Sequence, residues 1–282
     1  MDTHEAVWVQ GLFGLVEGEF ALIKIPECAT SEQRKIIKSL IQITGNPPNL
    51  EQSWAILDFV WDSLGCNNHK LDWERIGAFY NHPVWLLIGL FIEQHEESMQ
   101  NREAFVDAIA KHAPRRLADF GGGYGGLARM VASRCPDTQV DVIEPHPTTV
   151  ALELSKSIPN LTYRSDFDGE YDAMIAVDVF EHLPDPLVEV ERTSSHLKQG
   201  GVYYMANCFF PVIKCHLPSV FHFRYSFPAI LGQMGLKQTD SVKYAQVYEK
   251  TKDVRVTGLT RLYEKLSVKS YPFLRRMNVQ PR

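Results

Sequence analysis

Cysteine is scarce: Cys28, Cys66, Cys135, Cys208 and Cys215 are the only five in 282 residues, and none forms a C-x-x-C pair. An odd, scattered set of this kind speaks against a disulfide framework and against a zinc module, so reduced thiols are expected. Long apolar runs are missing too. The longest candidate, Pro83 to Ile92, falls well short of the ~20 residues that a membrane-spanning helix needs. The opening residues include Asp2 and Glu5 with no Lys or Arg ahead of the short apolar patches, so a signal peptide is not expected and a cytoplasmic protein is. Positive charge is in deficit, with 29 Lys and Arg against 34 Asp and Glu, a net −5. The deficit is uneven, because residues 251–282 hold eight Lys or Arg and two acids, +6, which leaves −11 for the first 250 residues. A body of that sign repels nucleic-acid phosphate, and no aromatic-basic motif accompanies the basic end. The expected partner is a small molecule, not nucleic acid.

What is present is an ordinary globular composition, 45% hydrophobic and 22% charged, in a chain long enough for a domain of usual size with a substantial appendage. The chain is organised around Arg115-Arg116-Leu117-Ala118-Asp119-Phe120-Gly121-Gly122-Gly123-Tyr124-Gly125-Gly126. This reads as the end of a buried strand, a glycine turn and the opening of a helix that continues through Leu127, Ala128, Met130, Val131 and Ala132. Glycines there let the backbone turn at positive φ and admit a ligand where a Cβ would block it. The helix N-terminus favours acceptor atoms of that ligand. Gly121, Gly123 and Gly126 also satisfy the G-x-G-x-x-G of dinucleotide enzymes. Asp119 tips the balance, since a carboxylate just before the turn suits a ligand carrying a cation better than a pyrophosphate.

Ahead of this stretch the pattern is helical. Ile36, Ile37, Leu40 and Ile41 recur at helical spacing from Ser31, the expected cap, to Gly45, and Trp54, Leu57, Val60, Trp61 and Leu64 trace a second amphipathic face. Further helices are expected over Trp73 to Tyr80, Pro83 to Gln94 and Arg102 to Ala113, and a short hairpin around Glu17-Gly18-Glu19. After the turn, strands and helices alternate: strands at Thr138–Ile143, Leu161–Arg164, Tyr171–Val177 and Val202–Asn207, helices at Thr148–Ile158 and Ser226–Met234, then an antiparallel pair at Leu236–Lys243 and Ala245–Glu249. That alternation predicts an α/β, doubly wound sheet. Glu144, at the end of the second strand, is placed to accept both hydroxyls of a ribose.

The D-x-G-x-G form of Asp119 to Gly123, the string Glu181-His182-Leu183-Pro184-Asp185-Pro186 after the fourth strand, and Leu197-Lys198-Gln199-Gly200-Gly201 before the fifth resemble the motifs of class I S-adenosylmethionine-dependent methyltransferases. The likeness extends to small-molecule O-methyltransferases of quinone biosynthesis and of sugars and natural products, and covers residues 115 to 207. It implies a seven-stranded Rossmann-like sheet, with residues 1–110 as a helical lid, 111–250 as the cofactor-binding core and 251–282 as a basic extension. It also implies S-adenosylmethionine as cofactor, held by Asp119, Gly121, Gly122, Gly123, Glu144, Pro145, Asp166, Phe167, Asp178 and Val179, with Asp166 and Phe167 at the adenine. Quinone-pathway relatives can hold a divalent metal with acids and a histidine in the order of Asp178, Glu181 and His182. The first of these is Asp where they have Glu, one carbon shorter, so no metal ligand is assigned. The implied reaction is methylation of a hydroxylated small molecule, such as a sugar, glycan precursor or natural-product intermediate.

Loops after parallel strands face the ligand crevice. This places His182, past the fourth strand, and His216 and His222, past the fifth, as candidate bases, and Arg224 and Tyr225 as substrate contacts. Tyr80 and Trp85, in the polar and aromatic break between two apolar helices, are the candidate contacts from the lid. A nicotinamide-dependent oxidoreductase on the same turn, an N-methyltransferase and a protein that binds the cofactor without turnover stay open as alternatives.

Overall fold

The structure, a computed structural model, describes residues 23–45 and 47–277; the hairpin expected around Gly18 lies outside them. Among the described residues five helices come first: α1 Ser31–Thr44, α2 Leu50–Ser63, α3 Trp73–Tyr80, α4 Val84–Ile92 and α5 Glu96–His112. Their starts are written in local chemistry. Thr30, one residue before the expected cap, accepts from the Gln33 amide while the Gln33 side chain returns the bond, and Asn49 and Gln52 repeat this reciprocal cap for α2, satisfying amides that have no partner inside the helix. Helix α5 begins six residues earlier than its apolar spacing suggests, because the His95 ring accepts from Ser98 N and caps the polar run 96–101.

Alternation follows as β1 Arg116–Phe120, α6 Gly126–Arg134, β2 Gln139–Ile143, α7 Thr149–Ser155, β3 Leu161–Arg164, β4 Tyr171–Val177, α8 Pro186–Ser195, β5 Leu197–Ala206, α9 Phe223–Met234, β6 Leu236–Val242, β7 Ala245–Lys250 and α10 Gly258–Arg276. The seven strands form one sheet in the order β3-β2-β1-β4-β5-β7-β6, parallel except that β7 runs antiparallel to both its neighbours. Strand β5 starts five residues before the expected Val202. Its irregular pairing with β4 between Tyr171 and Ala173 lets Leu197 join the ladder ahead of Gly200, which takes a φ of +75°.

Residue parity divides the core. Ala118, Met174, Ala176, Tyr203 and Met205 pack on one face beneath α8 and α9, whereas Leu117, Ala173, Ile175, Tyr204 and Ala206 pack on the other beneath α5 and α6, the two-residue period of a strand buried on both sides. Phe105, Val106 and Ile109 of α5 belong to that second face. Helices α1 to α4 share a separate apolar cluster built on Ile37, Trp61, Phe79 and Leu87. Between β1 and β4 the strand order reverses, and there the chain leaves the sheet at Gly121 and at Asp178, opening a crevice at the strand ends.

Candidate active site

The crevice is set by the glycine turn. Gly121 has φ +69°, and a Cβ on it would lie 2.8 Å from Val179 Cγ2, while one on Gly123, φ +49°, would meet no atom closer than 3.9 Å. The first is closed to any side chain, and the second opens toward a ligand. Gly122 is closed as well, but from the side away from the cavity. A Cβ there would strike Asp119 Oδ2 at 2.6 Å, so this glycine serves packing and lies off the cavity lining. Arg129 fastens the turn from α6, donating to Tyr124 O at 2.7 Å and pairing with Glu93 at 2.5 Å.

A cavity of about 600 Å³ spreads from the turn, lined by Gly121, Gly123, Glu144, Pro145, Asp178, Val179 and His182 on the sheet side and by Tyr80 and Trp85 on the helical side. Asp119, just ahead of the turn, lies off both cavity linings and is 3% exposed. Burial pushes its carboxyl up to about 7 despite the opposing charge of Arg102, with Glu144 adding to the rise. At the rim, Glu144 accepts from His146 N at 3.1 Å. A cradle without Cβ atoms, an acid just ahead of it and a second acid at its rim fit an aminoacyl nucleoside with a cationic amine and a ribose, the shape and charge of S-adenosylmethionine.

A smaller cavity of about 180 Å³ adjoins the first and shares Trp85, Asp178 and His182 with it. Trp54, Leu57, Ile88, Phe91 and Phe105 give it apolar wall, and Ser53, Ser98, Asn101, Arg102, His216 and Tyr244 add polar groups. Trp85 stacks on Tyr80 at 5.5 Å between ring centres, and its buried Nε1 has no partner. Asp178 holds a φ of +53°, unusual for a residue with a side chain. It accepts from the Tyr244 hydroxyl at 3.2 Å; solvent reaches it through the crevice, yet the protein packed around its carboxyl lifts it to about 6.

Beside it lies a buried polar triad. Glu181 is fully buried; one oxygen accepts from Cys208 N at 2.8 Å and the other has no partner. Burial, with Asp178 adding to it, holds this carboxyl well above the usual carboxylate range. His182 Nδ1 lies 3.2 Å from Cys215 O and His216 Nδ1 2.7 Å from Phe210 O. A carbonyl only accepts, so each Nδ1 carries the hydrogen and each Nε2 keeps its lone pair. Burial lowers His182 to about 4 and His216 to about 3, so both imidazoles are neutral near pH ~7. Ligand atoms of Glu181, His182 and His216 lie within 4.8 Å of one another, a nitrogen, nitrogen, oxygen set able to share a proton or hold a divalent cation. The acid, acid, histidine order noted in the sequence is therefore replaced in space, with Asp178 turned to Tyr244 and His216 taking its place.

Five further expected site residues lie off both cavity linings. Asp166 bonds its neighbour's amide and Arg192, and Phe167 is stacked on His196 at 4.6 Å and on Phe120, so the ring expected at the adenine is already packed. His222 bonds the Ser267 hydroxyl at 3.0 Å, Arg224 donates to the Tyr271 hydroxyl at 2.5 Å, and Tyr225 faces the Tyr271 ring. These three join α9 to α10, because the chain after β5 spends residues 208–222 crossing the crevice and has left it by His222. Conversely, Arg102 and Tyr244 border the site without a sequence signal, one inside a long helix and the other in a tight turn.

A family model described as a methyltransferase domain matches residues 118–203. Among curated relatives, a ubiquinone biosynthesis O-methyltransferase of Acinetobacter baumannii is 26% identical over 179 residues, 60% of this chain and 73% of that protein. One of the same description from Chromobacterium violaceum is 29% identical over 106 residues, 34% of this chain and 46% of that protein. The chain thus spans less than half the length of the second. Among solved structures, the mitomycin 7-O-methyltransferase is similar at 14% identity with a TM-score of 0.47, covering 70% of this chain and 66% of the other.

Proposed function

We propose that the chain is a class I S-adenosylmethionine-dependent methyltransferase, a reading supported by the methyltransferase-domain match and the O-methyltransferase relatives, and that it methylates a hydroxyl of a small, largely apolar acceptor, with cofactor in the larger cavity and acceptor in the smaller. The observation that carries this reading is the junction of the two cavities at Trp85, Asp178 and His182. Bound cofactor supplies an electrophilic methyl on a sulfonium. On the chain's side, Asp119 offers an anion for the cofactor's amine, Glu144 accepts from the ribose, and the bare turn at Gly121 and Gly123 admits both. The aromatic and aliphatic part of the smaller cavity's wall suits a phenol or other apolar alcohol better than a sugar, which has little apolar surface to bury. His182, lining both cavities with a free Nε2, is the group placed to take the acceptor's proton, and His216 and Glu181 hold its ring edge in a polar setting. Alignment of the two reactants across this junction lowers the barrier by up to ~7 to 11 kcal/mol in favourable cases.

Titration calorimetry with S-adenosylmethionine, S-adenosylhomocysteine and NAD tests the cofactor assignment. Both sulfur nucleosides are expected to bind and NAD is not; the reverse would overturn the reading. Acceptor-dependent release of S-adenosylhomocysteine across a panel of phenols, apolar alcohols, amines and sugars then tests the acceptor class, and turnover confined to amines or to sugars would overturn it.

A further inference from the structure

Helix α10 turns a polar side inward and an apolar side out. Its inward face is polar: Thr260 and Ser267 are buried, and Ser267 accepts or donates among His222 and Ser226 while Tyr271 holds Arg224. Its apolar side chains point to water instead. Leu259, Leu262, Tyr263, Leu266, Phe273 and Met277 are all exposed, Phe273 by 64%. At helical periodicity they fall in one arc of roughly 100° that runs the length of the helix, with Val268, 50% exposed, standing alone on the opposite side. Lys265, Lys269 and Arg276 border that arc on one side, and no carboxylate lies within ion-pair distance of them among the described residues. The one acid of the helix, Glu264, is already paired with Arg261 on the inward side. An apolar stripe of this length, beside a cationic row, is what an interfacial helix presents to a lipid surface.

We propose that α10 docks this protein on an anionic membrane surface, its apolar stripe entering the boundary between headgroups and acyl chains and Lys265, Lys269 and Arg276 meeting lipid phosphate. The charge distribution selects this occupant. Residues 251–282 hold +6 against −11 for the rest of the chain, so an anionic plane attracts this end and repels the body, fixing the orientation. A second copy packed two-fold on the same stripe would set cationic row against cationic row. No helix among the described residues is long and apolar enough to cross a membrane, so the contact is with one surface. This inference does not depend on the chemistry proposed for the crevice.

The test is co-sedimentation of the full chain with vesicles of phosphatidylcholine alone and with vesicles of phosphatidylcholine and phosphatidylglycerol in equal parts. Binding is expected to the anionic vesicles, weakened by added salt. Lys265→Gln with Lys269→Gln is expected to weaken it by about tenfold or more, and Leu266→Glu with Phe273→Glu to abolish it. All four positions lie outside both cavities, so S-adenosylhomocysteine affinity should match the parent and certify folding. Should the glutamate variant fail that check, the glutamine variant decides alone. Equal binding to both vesicles, no binding to either, or binding indifferent to the lysines would overturn the proposal. So would a dimer in analytical ultracentrifugation that the stripe variants dissociate while vesicles are ignored.

Discussion

The two cavities of the crevice are built in opposite ways. The larger takes its sheet-side lining from strand ends and turns close together in the chain, residues 120–124, 143–148 and 178–192. Much of what it offers there is backbone: a bare turn, amides, and the ends of β1, β2 and β4. The smaller gathers single side chains from α2, α4, α5, the end of β4, the crossing after β5 and the β6–β7 turn. A backbone-built site tolerates change except where a Cβ intrudes, whereas a side-chain-built site can be remade residue by residue. On the proposed reading, that difference would leave the cofactor site constant while the acceptor cavity could vary.

Breaking the first kind of site should have the larger effect. Gly121→Val places a branched side chain at φ +69° and against Val179, so turn and neighbour must move apart and the cradle is lost. About 3 kcal/mol or more of cofactor affinity should go, read by calorimetry with S-adenosylhomocysteine on folded protein; parental affinity would remove the turn from the cofactor site. In the side-chain cavity the expected damage is to rate alone. His182→Ala should lower kcat by about 10²-fold and leave cofactor affinity within a few-fold. If His182→Ala and His216→Ala both keep parental kcat, the proton leaves by another route.

The same contrast decides what could be read from the sequence. The strand, turn and acid pattern of residues 115–207 is local, so the seven-stranded sheet follows from alternation and from the motif resemblance, and Gly121, Glu144 and His182, named from strand ends and motifs, line the larger cavity. The acceptor cavity was not legible, because Arg102 sits in a helix whose apolar spacing gives no hint that its guanidinium lies near Asp119 and Asp178. Tyr244 reaches Asp178 across 66 positions. The stretch 208–225 was legible as a crossing over the crevice but not for where it leaves it. His216 falls before that point and His222 after it, a distinction of six residues that no pattern encodes. Phe167, which the motif resemblance implied at the adenine, lies off both linings with its ring stacked on His196, a contact that no local pattern encodes.

A subtler break concerns the acid just ahead of the turn. Asp119, raised to about 7 by burial, is largely protonated in the ligand-free protein at mildly acid pH, and a cationic amine selects its ionised form. Cofactor affinity should therefore rise with pH through about 7 and level off above it, and Asp119→Asn should flatten the profile and cost about 1 to 3 kcal/mol of affinity at the plateau. Stability without ligand runs the other way. The folded value lies above the unfolded ~3.9, so the folded state holds the proton more tightly. The stability this contributes is complete below about 4 and is lost as pH rises through about 7. Thermal melts across that range should fall more steeply for the parent than for Asp119→Asn, and parallel curves would mean that the carboxyl is not held in its acid form.

The smallest effect on catalysis is expected at His222, which the sequence places beside His216 and the structure places at the α9–α10 joint. His222→Ala should leave kcat and KM within about twofold, since the ring lies off both cavities, yet cost about 1 to 2 kcal/mol of stability by stripping the buried Ser267 hydroxyl of one partner. The pH dependence sharpens the assignment. Burial lowers the His222 imidazole to about 4, below the unfolded ~6.5, so the unfolded chain binds the proton first on acidification. The stability contributed by the neutral ring is whole above about 6.5 and is lost as pH falls through about 4. Removing the ring should shallow the parent's acid limb in a melt, although His182 and His216 keep part of it. A loss of kcat comparable to that of His182→Ala, with the acid limb unchanged, would return His222 to the acceptor cavity and move the boundary between the crevice and the α10 joint.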